Sequence, residues 1–211
     1  MGQKINPFGF RLGITQSHYS LWFSKSKEYF KNLKEDIKIR DYLANYKKKN
    51  EEFYHIEIKK KFDFIHIIIY MELKKFSIKN IKLKIKKLQI NIKKIISHKK
   101  LNISLLKIIK PYKYTNILLK FIFNQLKKKV SFRKIIKKTI KLFIKIDSNS
   151  EIKGIKIQIS GRFNNNPIAY IEWIKKGRIP LQTLQSKINF CYYPIKTIYG
   201  ILSVKIWIFY L

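Results

Sequence analysis

The sequence predicts an α+β protein of two domains, residues 1–110 and residues 111–211. Apolar residues recur at helical spacing in four segments, and in others they alternate with polar residues or form short Ile-rich runs, as in strands. The first domain reads helix, strand, strand, helix, strand, and the second reads two helices followed by four strands. Pro111 and the polar residues after it separate the two sets, which indicates a domain boundary.

The first domain begins with a stretch, residues 1–23, that is rich in glycine, proline and aromatic residues. Its apolar residues are too irregular for a helix, so we expect an ordered loop that needs a surface to lie on. Tyr29, Leu33, Ile37 and Arg40 follow at three- and four-residue spacing and indicate a helix. The predicted helices span 25–48 and 78–97, and the predicted strands span 54–61, 64–71 and 101–109.

The second domain begins with two predicted helices, over residues 116–128 and 131–146. Ile155, Ile157 and Ile159 then alternate with polar residues, as in a half-buried strand. The asparagines before Pro167 favour a hairpin turn, because asparagine tolerates left-handed backbone. The remaining strands are predicted over residues 168–174, 187–196 and 201–210.

The helix predicted over residues 131–146 is the most informative element. Ser131 is a favourable N-cap, and one face of the helix is apolar. The apolar face contains Phe132, Ile135, Ile136, Thr139, Ile140, Phe143 and Ile144. The opposite face contains Lys134, Lys137, Lys138, Lys141 and Lys145, with Arg133 near the N-terminus. This pattern predicts a helix that packs on a core and presents cations to solvent or to a polyanion.

The charge of the chain indicates what it binds. The 211 residues carry a formal net charge of +35, and the excess is spread over both halves. A globular chain this basic repels itself and needs a polyanion, of which nucleic acid is the first candidate and an anionic membrane surface the second. No apolar run is long enough to span a bilayer, and we expect no membrane partner.

The sequence shows no pattern typical of an enzyme or a cofactor site. It has no paired carboxylates in a motif, no Ser/His/Asp arrangement and no phosphate-binding glycine loop; Gly154 and Gly161 are too far apart for a nucleotide fingerprint. One cysteine and four scattered histidines provide no metal-ligand spacing. We therefore expect neither catalysis nor a bound cofactor.

Arginine is rare, with only five residues in a lysine-rich chain. Lysine, isoleucine and asparagine have A/T-rich codons, which suggests an A+T-rich genome. Under such a bias, each arginine is a candidate for a position that needs the planar guanidinium. The five are Arg11, Arg40, Arg133, Arg162 and Arg178.

Several ordered motifs resemble small-subunit ribosomal protein three in its plastid-encoded form. The N-terminus MGQKINPFGFRLGITQSHYSLWF resembles that of the family closely, the second domain matches more strongly, for example in GRIPLQTL at residues 177–184, and the resemblance covers the whole chain. The other matching segments are residues 125–126, 130–134, 153–156, 160–162, 172–173, 197–200 and 204–208.

This resemblance implies a type II KH fold in the first domain and a second α+β domain of two helices packed on a four-stranded sheet. It also implies a structural protein of the small-subunit head, in the plastid stroma and encoded in the organelle, near the channel through which mRNA enters. The partners would be rRNA, mRNA and neighbouring small-subunit proteins. The residues expected on mRNA are Arg133, Lys134, Lys137, Lys138 and Lys141. Those expected on rRNA are Lys4, Arg11, Lys74, Lys75, Lys79, Arg162 and Arg178.

One departure from the family concerns the KH domain. Such domains clamp a nucleotide backbone with a G-x-x-G loop, because glycine lets phosphate approach the main-chain N–H groups. The corresponding residues here, MELKKFSIKN at 71–80, contain no glycine. Binding through the side chains of Lys74, Lys75 and Lys79 is the alternative.

A free-standing KH-type RNA-binding regulator is the main competing interpretation. A regulator that reads splayed bases needs a clamp or stacking aromatics on one face. The missing G-x-x-G and the unrelieved positive charge count against it. A basic amphipathic protein on a membrane surface is disfavoured by the strand-rich second domain.

Overall fold

The computed structural model describes residues 3–49, 53–61, 64–71, 78–94, 96, 100–108, 111–128, 130–146, 152–163, 166–198 and 200–210. The chain forms two compact units. The first unit is His18–Ile109, and the second combines Met1–Ser17 with Lys110–Leu211. The predicted first domain included residues 1–17, so the structure differs there, because these residues pack on the second unit.

In the described residues of the first unit there are two helices and four strands. In chain order they are β1 (Ser20–Leu21), α2 (Ser26–Lys49), β2 (Phe53–Lys60), β3 (Phe64–Met71), α3 (Ile78–Lys93) and β4 (Lys100–Lys107), preceded in the chain by α1 (Pro7–Arg11) of the second unit. The sheet order is β1-β2-β3-β4. β2 and β3 are antiparallel, whereas β1 runs parallel to β2 and β4 parallel to β3.

Both helices contribute to the core of the first unit. Ile39 and Leu43 from α2 and Leu88 and Ile92 from α3 join the inward side chains of the sheet in one buried cluster. The predicted helix has the expected bounds, but Tyr29 and Ile37 are about half exposed. The buried face is rotated toward Ile39 and Leu43, so the apolar spacing identified the helix but not its inward side.

The part of the second unit that the structure describes consists of α1, two long helices and four strands, besides one short turn. After a 3-10 turn at Pro111–Lys113 these are α4 (Thr115–Lys127), α5 (Phe132–Ile146), β5 (Ile152–Gly161), β6 (Tyr170–Gly177), β7 (Lys187–Thr197) and β8 (Gly200–Tyr210). The sheet order is β6-β5-β8-β7, and neighbouring strands are antiparallel. The α+β class is confirmed.

The two faces of the second sheet differ. On one face, which we call the inner face, Ile155, Ile157 and Ile159 of β5 and the alternate residues of β8 form a core with α4 and α5. The intervening residues of each strand point to the opposite side, which we call the outer face. Strand alternation fixes this division, because every second side chain of a strand lies on the same face.

Candidate nucleic-acid interface

Helix α5 presents a row of lysines away from the protein core. The apolar side of α5 is buried against the inner face of the sheet, as the sequence predicted; it includes Phe132, Ile135, Ile136 and Thr139. Lys134, Lys137, Lys138 and Lys141 are exposed, and so is Arg133. The side chains of Ile144 and Lys145, also predicted for the two faces, lie outside the described residues.

The start of α5 is fixed by the backbone. The carbonyl of Ser131 accepts hydrogen bonds from the N–H groups of Lys134 and Ile135, at 3.0 and 3.1 Å. Phe132 packs into the core beside Phe163, with ring centroids 5.5 Å apart. Buried Thr139 donates its hydroxyl hydrogen bond to the carbonyl of Ile136 at 2.8 Å, so its polar atom is satisfied inside the core. The cationic face is therefore held on a rigid element.

Arg133 makes an ion pair across to strand β6. Its Nη2 lies 3.4 Å from Oε1 of Glu172, and its side chain remains 80% exposed. An exposed ion pair of this kind contributes little to stability and is screened by salt. Arg133 can therefore exchange this carboxylate for a phosphate at small cost.

A groove of about 360 Å³ separates α4 from α5 on their outward side. Its walls are the side chains of Phe121, Gln125, Lys138, Lys141 and Leu142. A mostly apolar lining that includes two lysines can receive the edge of a sugar or base, and lysine stems can lie on apolar surface while their ammonium groups remain in water. The lysines predicted for RNA thus lie beside a concave surface.

The other residues predicted for rRNA are scattered over the second unit or fall outside the description. Lys4, Arg162 and Arg178 are exposed. Nε of Arg162 donates to the carbonyl of Asn166 at 3.3 Å, which closes the hairpin between β5 and β6. Lys74, Lys75 and the side chain of Lys79 lie outside the described residues, as does most of the segment that replaces G-x-x-G.

The predicted contact between Arg11 and phosphate is wrong. Arg11 is completely buried, and its Nε donates to the carbonyl of Ser186 at 2.7 Å. Its other nitrogens donate to the carbonyls of Pro7, Pro180, Leu181 and Thr183 and to the hydroxyl of Ser186, at 2.9–3.2 Å. Burial lowers the pKa of Arg11. The guanidinium instead joins α1 to the loop before β7, with no surface left for a ligand.

The outer face carries aromatic and cationic residues that the sequence analysis did not single out. Trp173 on β6 and Tyr192 on β7 are 57% and 51% exposed. The ammonium of Lys156 lies 5.1 Å from the ring centroid of Trp173 and that of Lys205 lies 5.9 Å from the ring centroid of Tyr192. The signal was available, since an aromatic residue at an outward position of an alternating strand is unusual.

Two further findings concern the function classes considered from sequence. Among the described residues there is no group of three or more His, Cys, Asp or Glu side chains placed to hold a metal ion. In the part of the chain that the structure describes, no helix combines the length and apolar character needed to cross a membrane.

Comparison with known proteins gives a consistent result. The family model described as "Ribosomal protein S3, C-terminal domain" matches residues 122–208. Proteins named small ribosomal subunit protein uS3c from Epifagus virginiana and Populus trichocarpa are each 50% identical to this chain, and that from Daucus carota is 51% identical. Each alignment covers 99% of this chain and 98% of the relative. The chain therefore belongs to the ribosomal protein S3 family in its plastid form, and it is a structural component of the small ribosomal subunit rather than an enzyme.

Proposed function

We propose that this protein binds rRNA in the head of the small subunit and that α5 forms part of the channel through which mRNA enters. The observation that carries this proposal is the orientation of α5, whose apolar face is buried and whose lysines are exposed. Arg133, Lys134 and Lys137 are the residues we place on mRNA, with Lys138 and Lys141 continuing the row. The plastid stroma is the proposed location.

The geometry of the row suits a moving strand. The row from Lys134 to Lys141 spans eight residues of helix, a rise of about 10 Å. At the N-terminal end, the N–H groups of Phe132 and Arg133 precede the first hydrogen bonds of the helix, which begin at Lys134, and they can attract phosphate. Ammonium groups on flexible stems and backbone N–H groups contact the phosphate backbone and read no bases. Such a site accepts mRNA of any sequence.

The first unit is proposed to be a type II KH-like domain that contributes to rRNA binding. Its support is the succession α2, β2, β3, α3, β4, in which the last two strands are parallel. The absence of G-x-x-G leaves side-chain contacts from Lys74, Lys75 and Lys79 as the proposed route to phosphate. In the second unit, exposed Lys4, Arg162 and Arg178 are the proposed rRNA contacts.

A charge-removal experiment tests the role of α5. Arg133→Gln, Lys134→Gln and Lys137→Gln are combined in one variant, and subunit abundance is measured together with translation of structured and unstructured messages. If α5 contacts mRNA, subunits assemble normally and translate structured messages poorly, while unstructured messages are translated nearly as before. A matched control combines Lys27→Gln, Lys31→Gln and Lys34→Gln, which remove the same charge from exposed positions of α2.

Two outcomes would contradict the proposal. Depletion of the subunit by the α5 variant alone would show that these residues bind rRNA permanently and serve assembly. Equal loss of translation on both kinds of message, from normally assembled subunits, would remove α5 from the mRNA path altogether. Co-sedimentation of the unmodified protein with small subunits through a high-salt wash tests the broader role, because a free regulator would dissociate.

A further inference from the structure

The outer face of the second sheet carries an ordered row of side chains. The strand register places Trp173 opposite Gln158, Gln158 opposite Lys205, and Lys205 opposite Tyr192. One residue from each of the four strands therefore contributes to a continuous row. With neighbouring strands about 4.8 Å apart, the two aromatic rings stand about 14 Å from each other. Both are more than half exposed, at 57% and 51%.

A second row on the same face contains two lysines beside Trp207, which is buried against Ile179 and Ile188. Lys175, Lys156 and Trp207 are register partners across β6, β5 and β8. The ammonium of Lys156 lies 5.1 Å from the ring centroids of both Trp173 and Trp207. Burial lowers the pKa of Lys156, and repulsion from Lys175 and Lys4 lowers it further. Several cations thus lie close together at one end of the outer face.

The protein provides little negative charge to balance these cations. Residues 111–211 contain three acidic residues, Asp147, Glu151 and Glu172. Glu172 lies one residue from Trp173 in β6, so it belongs to the inner face, where it contacts Arg133 at 3.4 Å. The other two lie outside the described residues. Among the described residues of the second unit, the outer face carries no carboxylate, so an anionic ligand would relieve the repulsion between its lysines.

We propose that the outer face binds unpaired RNA nucleotides, with bases stacked on Trp173 and Tyr192 and phosphates on Lys175 and Lys205. A four-stranded sheet with helices on one side and exposed aromatics on the other is an established way to stack two or three bases. Double-stranded RNA keeps its bases paired and stacked, so it cannot use the rings. This inference rests on the proposed function, because it specifies which form of RNA this face accepts.

The combination of rings and cations favours RNA over a protein partner. A protein that docks through apolar contacts would bury Trp173 and Tyr192 but would leave the lysines uncompensated. A single-stranded RNA provides a flat ring and a phosphate in every nucleotide, and stacking tolerates any base. The chemistry of this face therefore matches a nucleotide chain in both of its components.

A fluorescence titration of the full chain tests the proposal. The probes are an oligoadenylate single strand and the duplex that it forms with oligouridylate, at moderate salt. The contribution of Trp173 to the tryptophan emission is identified as the part that disappears in Trp173→Phe. Stacking should quench this part, and the single strand should quench it far more than the duplex. The affinities of the variants are measured by the anisotropy of a labelled strand, which does not depend on Trp173. Trp173→Ala or Tyr192→Ala should weaken single-strand binding roughly 5- to 100-fold, while duplex binding stays unchanged.

Control variants separate stacking from charge. Trp173→Phe keeps a ring and should retain most of the affinity, and Ile168→Ala, at an exposed apolar residue outside the row, should have no effect. Lys205→Gln should reduce the slope of log affinity against log salt by about 0.7, because one phosphate contact with a single strand is lost. Trp173→Ala should leave that slope unchanged.

Several results would overturn the inference. One is equal quenching by single strand and duplex, and another is unchanged single-strand affinity in the Trp173→Ala, Tyr192→Ala double variant. If that double variant binds RNA normally but fails to enter the small subunit, the face docks a protein instead. Co-sedimentation of the unmodified chain is measured in parallel. If the unmodified chain does not co-sediment with small subunits, the proposed function is refuted. If it co-sediments normally but the titration shows no stacking, only this inference is refuted.

Discussion

Arg11 and Arg133 show two different uses of a rare residue. Both were candidates for positions that require a guanidinium, and the structure gives each a distinct environment. Arg11 is completely buried among carbonyl oxygens of Pro7 and of the loop before β7, whereas the side chain of Arg133 is 80% exposed. The rarity of arginine thus identified positions of special chemistry. It could not separate an internal clamp from a surface ligand for phosphate.

The burial of Arg11 could not be predicted because most of its hydrogen-bond partners lie far away in the sequence. The carbonyl that Arg11 contacts at 2.7 Å belongs to Ser186, 175 residues away. No local pattern predicts that pairing, because the loop that surrounds the guanidinium has no periodicity of its own. The lysines of α5 were placed correctly because their exposure follows from the helical period of one short segment.

Arg11→Lys should destabilise the second unit by about 3 kcal/mol or more, because an ammonium cannot reach the six acceptors around the forked guanidinium and buried carbonyls lose their donors. Urea unfolding, followed in the second unit at moderate salt, measures the change. Arg178→Lys is the control, since Arg178 is exposed and a surface exchange should shift stability by less than about 0.5 kcal/mol. Equal effects of the two changes would refute the clamp.

At the level of elements, the positions of helices and strands along the chain could be predicted far better than which of their faces is buried. Every predicted helix and strand has a counterpart in the structure, and among the described residues α1, β1 and the 3-10 turn at Pro111–Lys113 were not anticipated. Helix α2 shows the limit. Its inward side includes Asp36, whose carboxylate accepts a hydrogen bond from the hydroxyl of Ser20 at 2.6 Å. The spacing of apolar residues cannot predict a buried polar contact with a neighbouring strand.

The end of the β5–β6 pair depends on two glycines. Gly154 lies opposite Gly177, and Gly177 has a φ of +75°. A Cβ on Gly177 would lie 2.1 Å from the carbonyl oxygen of Lys153, and a Cβ on Gly154 would lie 2.1 Å from that of Arg178. Because both obstacles are backbone atoms, the strands can approach this closely only without side chains. The pair therefore fixes where the loop before β7 leaves the sheet.

Gly177→Ala should destabilise the second unit by about 2–4 kcal/mol, because it adds both backbone strain and a clash. Gly13→Ala separates the two effects. Gly13 also has a positive φ, of +82°, but nothing lies within 4 Å of its Cβ position, so we expect a loss of only about 1 kcal/mol. Thermal melts of both variants measure the difference. Similar losses for the two would show that strain alone accounts for the glycine at position 177.

At the scale of the whole molecule, the N-terminus and the C-terminal half form one unit. The described residues 3–17 group with the C-terminal half, and in the sequence the first unit lies between them and Lys110. Composition indicated that residues 1–23 need a surface, but it could not say that the protein itself supplies much of it. That surface is made of β7 and the loop before it, which lie far along the sequence, so only tertiary structure reveals the arrangement.

The net charge of +35 sets the conditions under which the whole molecule is stable. Without RNA, repulsion between lysines opposes compaction, and few carboxylates are present to offset it. Raising the salt shortens the screening length from about 30 Å at 0.01 M to about 10 Å at 0.1 M, which weakens this repulsion. We therefore expect the isolated chain to fold poorly in low salt and its thermal midpoint to rise as salt is added.

A polyanion should stabilise the chain beyond what screening achieves. At constant ionic strength, a single-stranded RNA that binds only the folded state, at 100 times its Kd, adds about 2.7 kcal/mol. For a chain of this length that raises the thermal midpoint by roughly 5–10 °C, since each kcal/mol shifts it by about 2–4 °C. An uncharged polymer of similar mass is the control and should leave the midpoint nearly unchanged. A cooperative melt that depends on neither salt nor RNA would show that repulsion between the cations does not destabilise the free protein. Neutralisation by rRNA would then not be needed for the fold to be stable.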